Sequence, residues 1–136
     1  MKDPQMKDPQ TLVDERGELW LALATLWRES EPRETDYARM IEVIERHDLS
    51  LEQLEWIFRL ELAPVLARQQ MSVTDSWRDF DENRLLRQLV GHNRRLHGWR
   101  KGFWALFSGL TTMLTRARWN TLMTRLMVAR GQQPPH

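Results

Sequence analysis

Apolar side chains recur every three or four residues from Leu12 onwards, the spacing that places them on one face of an α-helix. In the first predicted helix this face consists of Leu19, Trp20, Leu23, Leu26 and Trp27. Glu31-Pro32 ends this helix, because proline does not continue one. A second helix with its own apolar face is predicted from about Thr35 to His47.

Ser50 and Gln53 form a capping-box pattern, in which two side chains three positions apart bond each other's backbone N–H groups. The pattern predicts the start of a third helix. Pro64 lies further along, and because proline lacks a backbone N–H, we expect a kink or a short new turn there. Residues 71–80 are predicted to be a connection that Trp77 anchors to the core.

The C-terminal part of the chain predicts two further helices. One occupies residues 82 to about 95 and starts after Asp81, which is suited to cap it. The last occupies about residues 110–130 and ends where a glycine follows. Gly98 and Gly102 interrupt the segment between the two helices.

No segment combines two-residue alternation with the β-branched residues of a strand. We therefore predict an all-α protein, a compact irregular bundle of five or six helices. Residues 1–11, which contain a duplicated Met-Lys-Asp-Pro-Gln, are predicted to be a disordered leader. Residues 12–131 are predicted to form one helical domain, and residues 132–136 a flexible tail.

Charge divides this domain into an acidic part and a basic part. All 19 acidic residues and ten of the 20 basic ones lie within residues 1–82, which gives that part a formal charge of −9. The remaining ten basic residues lie within residues 83–136. That part contains no acidic side chain, so its formal charge is +10. These cations are neutralised either by the acidic half of the molecule or by an external anion.

Four spaced elements of the sequence resemble the pattern of a known family. They read Glu18-Leu-Trp-Leu-Ala-Leu-Ala-Thr-Leu-Trp27, Leu49-Ser-Leu-Glu-Gln-Leu-Glu55, Glu61-Leu-Ala-Pro-Val-Leu66 and Ser72-Val-Thr-Asp-Ser-Trp-Arg-Asp-Phe-Asp81. In this order they are similar to a family of small, uncharacterised bacterial proteins, although Ala24-Thr25 departs from the Ala-Leu-Ser of its first element. The resemblance implies a helical domain and a bacterial origin, and it implies no activity.

The sequence shows no set of residues typical of an enzyme. Cysteine is absent, which excludes thiol chemistry and disulfides and fits a reducing cytoplasm. His92 and His97 are five positions apart and would point away from each other on one helix, so they do not share a metal. We predict no catalysis, no cofactor and no metal, and expect every histidine to lie at the surface or at a helix end.

The basic C-terminal part contains the candidate binding residues. Its basic pairs alternate with tryptophans, a composition typical of surfaces that bind anions. The residues predicted to contact a partner are Arg94, Arg95, Trp99, Arg100, Lys101, Arg116, Arg118 and Trp119. The structural alternative is that the aromatics belong to the core and that the cations pair with Glu42, Glu45, Glu52, Glu55 and Asp79.

These observations favour a non-enzymatic, cytoplasmic protein-binding module, such as an immunity protein, an inhibitor or an adaptor. Its partner would be a protein that is acidic or that has a complementary cleft. Two other classes remain open: a nucleic-acid-binding protein that uses the basic pairs, and a protein attached to anionic membranes through residues 102–130. Residues 102–115 are too few and too polar to cross a bilayer, and no feature indicates a small-molecule ligand.

Overall fold

Helices account for most of the chain that the computed structural model describes, which is residues 8–28, 30–71, 82–113 and 115–131. This part of the chain contains seven helices and no strand. The all-α prediction is therefore confirmed, and the described residues form seven helices where five or six were expected. Three predictions concern residues outside the described part of the chain. They are the core anchor Trp77, the ion-pair partner Asp79 and the helix cap Asp81.

The first helix, α1, spans residues 9–27 and changes its winding along its length. It is α-helical over Pro9–Leu12, π-helical over Val13–Gly17, α-helical over Glu18–Leu23 and 3₁₀-helical over Ala24–Trp27. Pro9 suits the first helical position, because the N–H that it lacks would have no partner within the helix. The predicted leader of residues 1–11 is thus too long, since residues 9–11 belong to α1.

Six more helices follow α1. Helix α2 is Glu34–Arg46, and α3 is one continuous helix of residues 51–71 made of Leu51–Trp56, the π-helical Ile57–Leu62 and Ala63–Met71. The C-terminal helices are α4 Glu82–Arg94, α5 Trp99–Leu106, α6 Ser108–Thr111 and α7 Arg116–Ala129. The capping box predicted for α3 is present, because Gln53 donates its backbone N–H to Ser50 Oγ and Ser50 donates its own to Gln53 Oε1.

The single helix predicted over residues 110–130 is wrong, because α6 ends at Thr111 and α7 begins at Arg116, and the described residues between them, 112, 113 and 115, lie in turns. Thr112 is buried, and its hydroxyl donates to the Ser108 carbonyl at 2.5 Å. Threonine hydroxyls that bond the backbone compete with regular helix hydrogen bonds. Leu110 of α6 and Met113 of the turn after it are 67% and 62% exposed.

Aromatic side chains from three helices form the centre of the core. Phe58 of α3 stacks on Trp119 of α7, with ring centroids 4.3 Å apart and ring planes only 8° from parallel. Trp27 of α1 contacts the same phenyl ring at 5.5 Å between centroids. All three rings are almost fully buried. Burial of such large apolar areas is the main favourable term that holds α1, α3 and α7 together.

Pro64 lies inside α3 as the second residue of its α-helical part Ala63–Met71, and it does not end the helix. In a regular α-helix the N–H of residue 64 would bond the carbonyl of Leu60, and proline has no N–H. The π-helical turn Ile57–Leu62 precedes the proline, and a neighbouring helix replaces the missing donor. His92 of α4 donates from Nε2 to the Leu60 carbonyl at 2.8 Å, and Asn93 donates to the Glu61 carbonyl at 3.3 Å.

This arrangement predicts a coupling between His92 and Pro64. Replacing His92→Ala leaves the buried Leu60 carbonyl without its donor, which should lower the free energy of unfolding by about 1–3 kcal/mol. In a Pro64→Ala background the restored N–H bonds that carbonyl, so the same His92→Ala change should cost less. Urea unfolding of the two single variants and the double variant measures the difference. Equal losses in both backgrounds would contradict this account.

Candidate binding surfaces

Two glutamates of α3 connect it to the helices at both ends of the chain. Glu61 Oε1 accepts hydrogen bonds from Trp20 Nε1 at 2.9 Å and from Arg16 Nε at 3.2 Å, both on α1. Arg16 lies in the π-helical turn of α1 and Glu61 in that of α3. The two unusually wound turns therefore meet at this ion pair, and π-helical turns are often found at functional sites.

Glu55 makes the corresponding connection to α7. Both oxygens of its carboxylate accept a hydrogen bond from Arg116 Nη1, at 3.0 and 3.1 Å. A third hydrogen bond comes from Trp119 Nε1, at 3.0 Å. Arg59, one turn further along α3, forms an ion pair with the same carboxylate. The guanidinium of Arg116 also lies over the Phe58 ring, 4.9 Å from its centroid. Glu55 thus carries a structural network around the aromatic core.

Three of the eight predicted partner-binding residues are consequently engaged inside the molecule. Trp119 is 1% exposed, because it stacks on Phe58, and it has no surface to offer a partner. Arg116 is paired with Glu55. Arg118 donates to the carbonyls of Leu26 and Arg28, at 3.0 and 2.7 Å. For these three residues the structural alternative is the better interpretation.

The two other arginines of the C-terminal helix region also pair with acidic residues. Arg125 binds Glu34 through both terminal nitrogens, and Arg130 binds Glu45 at 2.6 Å. The hydrogen bond from Arg125 lowers the pKa of the Glu34 carboxyl, and the same bond raises the pKa of Arg125. The pair therefore stabilises the fold above the carboxyl's unfolded-state pKa, and this contribution is lost as the pH falls through the lowered value.

The other five predicted residues lie near the junction of α4 and α5. Trp99 is 74% exposed, and the Arg100 guanidinium lies over its ring at 5.4 Å from the centroid. Arg95 and Lys101 are exposed, and Arg94 is half-buried. Within the described part of the chain, Arg95, Arg100 and Lys101 form no ion pair. Unpaired positive charge therefore remains at this end of the molecule.

Beside these cations lies an apolar surface that the sequence did not predict. We call it the outer face and define it as Trp99, Phe103, Leu106, Phe107, Leu110 and Met113 of α5, α6 and the turn after α6. These side chains are between 42% and 78% exposed, and α5 has no buried residue at all. Phe103 contacts the rings of Trp99 and Phe107, with centroids 6.4 and 4.8 Å apart, so the aromatics are contiguous.

The opposite side of α5 borders a cleft of about 740 Å³ between α1, α3 and α5. Its apolar walls include Leu12, Trp56, Leu60 and Leu96, and its polar groups include those of the Arg16–Glu61 ion pair. Lys101, Gly102 and Ala105 form the α5 wall. The volume lies within the range of about 300–1,000 Å³ that is usual for small-molecule sites.

Two of the histidines, His47 and His92, take up structural positions. His47 is the C-cap residue of α2, as expected, and its Nδ1 lies 2.9 Å from the Val43 carbonyl oxygen. His92 differs from the expectation, because it is buried and bonds the π-helical turn of α3. In the described residues, no group of three or more His, Asp or Glu side chains is placed to hold a metal ion. None of the described helices has both the length and the apolar character needed to cross a bilayer.

The described structure defines an all-α protein in which α5 borders a cleft and also presents an outward apolar surface. The chain belongs to the family described as Domain of unknown function (DUF7079), whose model matches residues 14–125. The resemblance to an uncharacterised family is thereby confirmed. Comparisons with curated proteins and with solved structures found no match.

The Glu55 network predicts a larger stability effect than an exposed ion pair does. Replacing Glu55→Gln removes the charge that Arg116, Arg59 and Trp119 share, and should lower the free energy of unfolding by about 2 kcal/mol. Glu18 is the matched control, since its ion pair with Arg46 is about half exposed. Glu18→Gln should cost about 0.5 kcal/mol or less. Urea unfolding at neutral pH measures both variants, and equal effects would show that the network is not structural.

Proposed function

We propose that this protein is a non-enzymatic protein-binding module that docks an acidic partner protein on the outer face. The observation that carries the proposal is the solvent exposure of six large apolar side chains on consecutive elements of α5 and α6. Contiguous apolar patches of more than a few hundred Å² are rare on monomers and usually mark interaction sites. Aromatic residues and methionine are also enriched in the buried centres of protein interfaces.

The charge of the partner follows from the cations beside this patch. Arg95, Arg100 and Lys101 have no ion pair within the described residues, and the chain has no carboxylate after Glu82. An acidic surface would therefore meet unopposed positive charge around an apolar centre. Such complementarity speeds association and selects the partner more than it increases affinity.

A protein partner fits these residues better than a nucleic acid does. Arg116 and Arg118, two of the cations on which phosphate binding would depend, are bonded inside the molecule. The exposed surface is instead dominated by leucine, phenylalanine and tryptophan, with cations at its edge. Two of the three unpaired cations beside it are arginines, which are enriched at protein interfaces, whereas lysine is depleted there.

Within this proposal the protein acts in the bacterial cytoplasm as an immunity protein, an inhibitor or an adaptor. Each of these roles requires a stoichiometric complex and no chemical step. The outer face would cover an acidic site of the partner, with the apolar side chains excluding water from the contact. An attachment to anionic membranes uses similar side chains, so the experiment has to separate a protein from a lipid surface.

Site-specific photo-crosslinking in the native host tests the proposal. A photoreactive phenylalanine analogue at position 106 of the outer face should form one dominant adduct with a protein. The same analogue at position 128 is the matched control. Val128 is an exposed apolar residue as well, at 62% against 78% for Leu106, but it lies on α7. The adduct should be absent at position 128 and should disappear when Arg100→Glu and Lys101→Glu are combined with the analogue at position 106.

The captured protein is then purified and titrated against the unmodified chain. The proposal expects a one-to-one complex whose affinity falls with added salt, and an acidic peptide at the crosslinked position of the partner. Adducts with lipid alone would show that the outer face binds membranes. Adducts with a second copy of the chain would show self-association. Either result, or adducts that persist after charge reversal, would overturn the proposal.

A further inference from the structure

Apart from Lys101, the cleft between α1, α3 and α5 has features that the docking of a partner on the outer face does not use. Its α5 wall includes none of the outer-face side chains, and its other walls combine aliphatic groups with the partly exposed indole of Trp56. Gln53 and Asn93 also line it, and their side-chain amides already bond backbone groups of the fold. An apolar cavity with a few converging polar groups is the usual form of a small-molecule site.

The formal charges of the cleft balance, with two carboxylates and two cations, and it is the unused hydrogen-bond donors that favour an anion. Of its two carboxylates, Glu61 already accepts the bonds of Arg16 and Trp20, and Glu15 is also engaged in an interaction. The two cations are less fully used. Arg16 donates only its Nε to Glu61 and has no other hydrogen bond within the described residues, whereas a guanidinium has five N–H groups. Lys101 makes no hydrogen bond or ion pair there.

Gly102 keeps the α5 wall of the cleft open. It lies inside a helix, where glycine costs roughly 0.5–1 kcal/mol relative to alanine. A Cβ added at this position would meet no atom within 4 Å, so packing does not require glycine. Its backbone does not have the positive φ that would favour glycine either. A larger side chain at position 102 would instead reduce the space available in the cleft.

We infer that the cleft is a binding site for a small amphipathic carboxylate with an apolar body. The apolar body lies against Trp56, Leu60 and Leu96, and the carboxylate is bound by Lys101 and the unused N–H groups of Arg16. Both contacts are needed, because the walls attract apolar groups in general and only the cations select an acid. This inference does not depend on the proposed docking of a partner protein.

Two fluorescent probes that differ only in the head group test the inference: 1-pyrenebutyrate, a carboxylate, and 1-pyrenebutanol, its neutral analogue. Titration into the full chain, followed by fluorescence anisotropy, should show binding of both, with the carboxylate about tenfold tighter. Lys101→Gln should remove most of this preference while leaving the affinity for the alcohol unchanged. Equal affinities of the two probes for the unmodified chain would overturn the inference.

A pair of glycine variants locates the bound probe. Gly102→Leu places a side chain in the cleft and should weaken both probes by about tenfold or more. Gly109→Leu is the matched control, since Gly109 is also helical, has equal space for a Cβ and does not line the cleft. It should leave both affinities unchanged. Unchanged binding to the Gly102→Leu variant, or a loss in binding on replacing Leu106→Ser in the outer face, would place the probe elsewhere and overturn the inference.

Discussion

The described structure depends on two carboxylates that one helix presents to its two neighbours. Glu61 and Glu55 each accept an indole N–H and a guanidinium, one pair from α1 and the other from α7. A buried or half-buried charge is tolerated only when several donors satisfy it, and each carboxylate has them. The same bonds satisfy the polar atoms of Trp20 and Trp119, so these large rings contribute their full apolar area to the core.

The opposed charges of the two halves of the chain therefore have two different roles. Three of the four arginines of residues 116–130 pair with Glu34, Glu45 and Glu55 of α2 and α3. The cations of residues 95–101 form no ion pair with a carboxylate in the described structure. Charge segregation in the sequence thus reflects internal pairing in one region and an exposed positive surface in the other.

Sequence reasoning predicts the helices better than their environment. Spacing of apolar residues located α1 to α4, and the capping box at Ser50 is present, because both depend on neighbouring residues. Whether an apolar face is covered depends on distant segments. For that reason Trp119 was predicted to contact a partner although it is buried, and the exposed outer face was not predicted. The π-helical turn before Pro64 was also missed, since its replacement donor, His92, lies 28 positions further along the chain.

The contact of Phe58 with both Trp27 and Trp119 has a consequence for the order of events during synthesis. Trp27 and Trp119 are 92 positions apart, and the phenyl ring of Phe58 lies in contact with both. The centre of the core is completed only when the last helix has left the ribosome. Until then the nascent chain exposes to solvent the aromatic surfaces that α7 later covers. In a chain truncated before α7 these surfaces stay exposed, which favours aggregation.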